Sequence, residues 1–266
     1  MRLEIGVVDA FTEKPFSGNP AAVCLLEHDL SDEMRQNIAM EMNLSETAFV
    51  QRTEREGHFN LRWFTPTLEI DLCGHATLAS SFWMLRKGWA KENVPIHFHT
   101  MSGELIVNAS HDGLEMNFPL IPTVEDQHPY FQKELFGKKI VKAAQLHRNW
   151  IFELENEDSV RSLQPDFMLI AKHSEEGFII TAAGEKYDIV SRFFGPNVGV
   201  PEDPVTGFAH CALMDYWNQK TGKTQLKAYQ ASRRGGELEL EKHDDRVLIK
   251  GKAVVVYQAE MELKNE

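Results

Sequence analysis

Apolar and polar positions alternate with period two in several stretches of the chain, and a few others are continuous apolar runs or recur with a helical period. Leu3–Asp9 and Ala21–Leu26 are apolar runs on either side of Pro15, Ser17, Gly18, Asn19 and Pro20, and they predict two strands joined by a turn. From Ser31, a good helix cap, Leu30, Met34, Ile38 and Met42 recur every four residues, which predicts an amphipathic helix ending near Asn43. Strands follow at Thr47–Arg52 and Phe59–Phe64, so Ser45 and Glu46 fall at a helix-to-strand junction. Gly74–Lys87 is apolar nearly all round, as expected of a helix wrapped by other elements, and Gly88 ends it. Pro95–Thr100, Gly103–Ala109 and Gly113–Phe118 read as strands joined by tight turns.

After Pro119–Pro122, the expected linker, the plan is repeated. Val141–Leu146, Trp150–Leu154, Gly177–Ala182 and Ile189–Phe194 read as strands, Asp166–Lys172 as a short helix, and Gly207–Lys220 as a second buried helix closed by Gly222. Glu237–Leu240, Arg246–Lys250 and Val254–Leu263 alternate as antiparallel strands. A local repeat supports the division. Arg62, Phe64 and Pro66 lie 130 positions before Arg192, Phe194 and Pro196, and after a three-residue length difference Gly74 and Ala76 meet Gly207 and Ala209. The expected architecture is α+β in two similar halves, residues 1–118 and 119–266, with the final strand free to cross back to the first half.

Composition narrows the function. The 266 residues carry a formal charge of -12 with 42% apolar residues, which fits a globular protein and argues against a nucleic-acid binder. The N-terminal apolar run is too short for a signal or a membrane span, so a cytoplasmic protein with no membrane partner is expected. Three scattered cysteines, Cys24, Cys73 and Cys211, form neither a disulfide framework nor a zinc motif. His97 and His99 share one face of a strand without a convincing third ligand, so no metal or cofactor is expected.

Candidate chemistry collects at the two helix starts, LCGHAT and EDPVTGFAH. A helix start offers unpaired N–H donors and about half a positive charge, and Gly74 and Gly207 let an anion approach the backbone; the same glycines also suit plain tight turns. If the halves pack about a two-fold axis, both starts serve one cleft. Glu46 is either a general acid/base whose carboxyl is raised by burial or a solvated strand-edge residue. A helix start favours a neutral His75, and Asp203 either serves the site or caps the turn before its helix. Cys73, just before a helix, is open to acidification as a base or nucleophile, but reads as a small packing residue like Cys211 and Cys24.

SGNPAAV, NLSETAFV, RWFTPTLEIDLCGHAT, EDPVTGFAHCALMDYW and YQASRRGG occur in this order across nearly the whole chain. Together they resemble the PhzF-like phenazine-biosynthesis isomerase family. The resemblance implies the diaminopimelate epimerase-like fold: two pseudo-symmetric halves, each a curled, mostly antiparallel sheet around a central buried helix, an active site between them and a homodimer. It implies Glu46 as proton shuttle, with His75 and Asp203 as the other polar catalytic positions. The backbone at Gly74 and at Thr206–Gly207 is implied to hold the substrate carboxylate, beside Asn19 and Pro20. Related epimerases use two cysteines where this chain keeps only Cys73. The family commonly has a serine where Phe208 stands, which replaces a hydroxyl by a ring.

The expectation is a cofactor-independent isomerase that shifts a proton between carbons of a small anionic, carboxylate-bearing metabolite. Two alternatives stand beside it: a Cys73-dependent racemase or epimerase, and a non-catalytic protein that binds a small anion.

Overall fold

A computed structural model describes residues 2–263, which form two compact units. One comprises the chain up to Asn117 together with the stretch from Lys250, and the other is Phe118–Ile249. Five helices accompany a mixture of parallel and antiparallel strand pairs. No helix among the described residues is long and apolar enough to cross a membrane.

The first unit runs β1 (Arg2–Ala10), β2 (Asn19–Leu26), α1 (Asp32–Met42), β3 (Glu46–Arg52), β4 (His58–Phe64), β5 (Glu69–Ile70), α2 (Gly74–Arg86), β6 (Ile96–Thr100), β7 (Gly103–Ser110) and β8 (Gly113–Pro119). β1 and β2 are an antiparallel pair, and α1 then carries the chain over to lay β3 parallel to β2. Ser31 caps α1 by accepting from the Met34 N–H at 3.2 Å, and Asn43 closes it in the left-handed conformation. β3 pairs antiparallel with β4, while α2 is the crossover between β4 and its parallel neighbour β6. Glu46 is thus the first residue of β3, held by pairing with Ala21 rather than lying in a loop.

The length of α2 is almost entirely buried, including Thr77, Ser80 and Ser81. Their hydroxyls donate to carbonyls one turn back, at 2.6, 2.7 and 2.9 Å, so burial leaves no hydroxyl unsatisfied. The helix lies so near β1 that a Cβ on Gly6 would sit 2.5 Å from the Trp83 ring. The side-chain-free strand position is what admits that ring.

The second unit contains β9 (Val124–Glu125), β10 (Glu134–Leu135), β11 (Lys138–Leu146), β12 (Asn149–Leu154), α3 (Glu157–Ser162), α4 (Phe167–His173), β13 (Gly177–Ala183), β14 (Ile189–Gly195), β15 (Val200–Asp203), α5 (Gly207–Thr221), β16 (Gln225–Gln230), β17 (Gly236–His243) and β18 (Arg246–Gly251). β12 and β13 are parallel across α3 and α4, β13 and β14 antiparallel, and β14 and β16 parallel across α5. Phe152, Phe178 and Phe194 are fully buried in its core with Phe131 and Leu135. α5 satisfies its buried polar atoms inside the unit: Asp215 accepts from the Thr123 N–H at 2.7 Å, and Trp217 Nε1 donates to Thr181 Oγ1 at 3.1 Å. The last strand, β19 (Ala253–Glu262), returns to pair antiparallel with β1.

Several elements are absent from the periodicity reading. β16 is one of them, although Leu226, Ala228 and Gln230 alternate inward, and so is α3, whose six residues are too few to show a helical period. Asp166 caps α4 rather than belonging to it. The repeat Arg-x-Phe has a physical content in both units. Arg62 on β4 makes a two-point bond to Glu69 on β5 (2.6 and 2.7 Å), and Arg192 on β14 makes one to Glu202 on β15 (2.8 and 3.0 Å). Each guanidinium also stacks on its own Phe, at 5.2 Å for Phe64 and 4.7 Å for Phe194. These clamps fix the loops that lead into α2 and α5.

Candidate active site

In the first unit the junctions before β2, β3 and α2 bring Asn19, Ser45, Glu46, Cys73 and His75 together. Glu46 Oε2 lies 3.0 Å from His75 Nε2, with both side chains nearly excluded from water. The other ring nitrogen, Nδ1, meets the Asn19 side-chain amide at 3.1 Å and Cys73 Sγ at 3.4 Å. Ser45 Oγ is 3.4 Å from His75 Nε2 and 3.5 Å from the Pro20 carbonyl. Asn19, itself fully buried, therefore orients the imidazole whose far edge faces Glu46.

The electrostatics fix the charge states of three side chains. Burial would raise Glu46, but the charge and hydrogen bond of His75, helped by Ser45 and Cys73, outweigh it and hold the carboxyl below its ordinary value. Burial would lower His75, yet contacts with Cys73 and Glu46 raise it well above an ordinary imidazole. We ascribe that increase to Glu46, because burial and the same carboxylate push the Cys73 thiol up and keep it protonated. The helix start therefore does not decide the charge of His75: a full charge at 3.0 Å outweighs partial charges spread over a helix turn. Likewise Cys73 is not acidified by its place before α2. In the charged ring Nε2 carries a proton directed at Glu46.

In the second unit Asp203, Thr206, Gly207 and Phe208 form a second assembled loop. The Thr206 hydroxyl donates to Asp203 Oδ2. Gln230, buried at the end of β16, accepts from the Thr206 N–H at 2.8 Å and donates to the Asp203 carbonyl at 2.7 Å. Sequence reasoning did not single out Gln230; its only signal was its place in YQASRRGG. His210 is structural here, donating from Nδ1 to the Thr206 carbonyl at 2.8 Å, and burial lowers its pKa to about 4. Phe208 is 38% exposed, and Gly207 is buried. No side-chain oxygen caps α2 or α5.

Among the described residues, two groups of side chains offer metal-ligand atoms within 4.8 Å of one another: Glu46, Cys73 and His75, and separately His58, His99 and Glu104. The second corrects the expectation that the strand histidines lack a third ligand. His58 lies 39 residues before His97, and only the parallel pairing of β4 with β6 makes them neighbours. In the first group Glu46 and His75 satisfy each other and the thiol is protonated.

By fold, the chain is similar to epimerase-like proteins. A structure from Pseudomonas aeruginosa described as a predicted epimerase superposes with a TM-score of 0.70 at 16% identity, covering 98% of this chain and 100% of that one. Within that fold the match is much narrower. The crystal structure of a phenazine biosynthesis protein of the PhzF family from Enterococcus faecalis has a TM-score of 0.92 at 41% identity, over 99% of this chain and 100% of that one. An uncharacterised isomerase of P. aeruginosa is 45% identical over 264 residues, 99% of this chain and 100% of its own. The family model for phenazine biosynthesis-like proteins, PhzC-PhzF, matches residues 8–259. The chain belongs to that family, and it is an isomerase of the PhzF-like type.

Proposed function

We propose that the protein moves a proton between carbons of a small carboxylate-bearing metabolite, with Glu46 as the shuttle. The observation that carries this reading is the state of Glu46: an ionised carboxylate, nearly buried, 3.0 Å from His75 Nε2. An ionised carboxylate with little exposure to water keeps lone pairs beyond the one facing His75, and these can accept a proton from a carbon acid. Glu46 takes the proton as the C–H bond breaks, the electron pair moves into the conjugated system of the substrate, and the protonated Glu46 returns the proton to another carbon on the same face. The Nε2–H of His75 holds the carboxyl in place through both transfers. General acid/base catalysis of this kind contributes about 10²–10⁴-fold.

The backbone donors at the start of α2, with Gly74 leading, bind the substrate carboxylate in this reading. To the second unit it gives a matching anion-binding role at Thr206–Gly207 and a polar substrate contact at Asp203. The Phe208 ring favours an apolar substrate edge over a hydroxyl. Supporting a common plan for the two units are the paired Arg–Glu clamps and the same sequence of strand pairings ahead of each uncapped helix.

The racemase alternative needs an acidic thiol, and the raised Cys73 pKa speaks against it. Product analysis after incubation with a panel of small unsaturated carboxylates separates the two. The shuttle predicts an isomer formed by wild type and by Cys73→Ser but not by Glu46→Gln. Loss of turnover in Cys73→Ser with retention in Glu46→Gln overturns it.

A further inference from the structure

Far along the first unit from the Glu46 junction, β4, β6 and β7 place three histidines and a glutamate on one sheet face. His58 opens β4 beside His97 of β6, and His99, two positions on and therefore on the same face, stands opposite Glu104 of β7. His58 Nδ1 lies 3.1 Å from His99 Nε2 and 3.9 Å from Glu104 Oε1. His97 Nδ1 lies 3.1 Å from Glu104 Oε1, and its ring stacks on that of His58 with centroids 4.4 Å apart.

Two features mark this as more than a surface cluster. The separations bracket the ligand-to-ligand edge of a tetrahedral site, about 3.3 Å for nitrogen and oxygen donors at the usual zinc bond lengths. The side chain of His58 is only 5% exposed, so the site has a dry floor and an open side formed by exposed His99 and Glu104. The short β6–β7 turn fixes His99 against Glu104, so the donors are held by paired strands rather than by a loop.

We propose that His58, His99 and Glu104 bind one divalent transition-metal ion of the zinc or cobalt(II) class, with water completing the coordination. His97 is a positioning residue, donating from Nδ1 to Glu104 and so orienting the carboxylate. The ion ties β4, β6 and β7 together and stabilises the folded chain; it takes no part in the proton transfer assigned to Glu46.

Cobalt(II) added to metal-free protein is the probe. The expected result is saturable uptake of one equivalent, with visible d–d absorption but no thiolate charge-transfer band, displacement by zinc, and a rise in melting temperature with zinc. His99→Ala and Glu104→Gln, both at exposed positions, each weaken uptake by at least about tenfold and remove the thermal shift. Cys73→Ser takes up cobalt as wild type does. The proposal is overturned by wild-type protein that binds no cobalt, by undiminished uptake in His99→Ala, or by a charge-transfer band that disappears in Cys73→Ser, which would put the ion beside Glu46.

Discussion

Replacing His75 by Gln keeps an N–H within reach of Glu46 and removes the charge. At the observed 3.0 Å, two unit charges interact by about 1.4 kcal/mol in a water-like medium and about 5.5 kcal/mol at the effective dielectric of a protein interior. With the Glu46 and His75 side chains 13% and 7% exposed, the interior figure is the nearer one and serves as its upper bound. Each 1.36 kcal/mol is a tenfold change in an acid dissociation constant. Without the charge, burial is left as the dominant influence, so Glu46 changes from an acid stronger than usual to one weaker than usual. Its titration midpoint in His75→Gln should rise by at least about one pH unit. The measurement is a carboxyl 13C NMR titration of glutamate-labelled protein, with the Glu46 resonance assigned by its loss in Glu46→Gln, and it needs no substrate. The wild-type linkage has a defined sign. Stability from the lowered Glu46 is present above about pH 4.3 and lost as pH falls through its folded value. Stability from the raised His75 is complete below about pH 6.5 and lost as pH rises through its folded value. A midpoint that stays put or falls in His75→Gln would refute the pairing.

Gly6→Ala drives a methyl into the Trp83 ring and should destabilise the protein by about 1–3 kcal/mol in urea unfolding. The two clamps differ in burial: Arg192→Met should cost about 3 kcal/mol, since the side chain is 10% exposed and also serves the Val160 and Leu163 carbonyls. Arg62→Met, at 29% exposure, should cost about 1 kcal/mol, and equal losses would contradict the assignment. His210 takes a proton near pH 6.5 when unfolded but only at about 4 when folded, so acid favours the unfolded chain. Relative to His210→Asn, wild type should lose up to about 3 kcal/mol between those pH values, measured by chemical denaturation; parallel curves would show that the folded imidazole titrates normally.

The features legible in the sequence were those carried by neighbours along the chain. The glycine-led starts of α2 and α5, the position of Glu46 at a junction and the Arg-x-Phe repeat are local patterns, and local patterns survive folding. The charge states at the site were not legible, because they depend on a 3.0 Å contact between residues 46 and 75 that propensity and helix dipole do not encode. The same reason hid Gln230, which locks the Asp203–Thr206 turn from β16, and the neighbours of His99, which arrive only with strand register. Six-residue α3 and the two-residue strand β5 are too short for any period to emerge, and are held by packing and by the Asn156 cap or the Arg62 clamp.

The account stands most directly on whether Glu46 removes a carbon-bound proton. Small unsaturated carboxylates incubated with the protein in deuterium oxide, and followed by mass spectrometry, test this without knowledge of the natural substrate. The account predicts deuterium at substrate carbon with wild type and its absence with Glu46→Gln. Incorporation that continues undiminished in Glu46→Gln would contradict it.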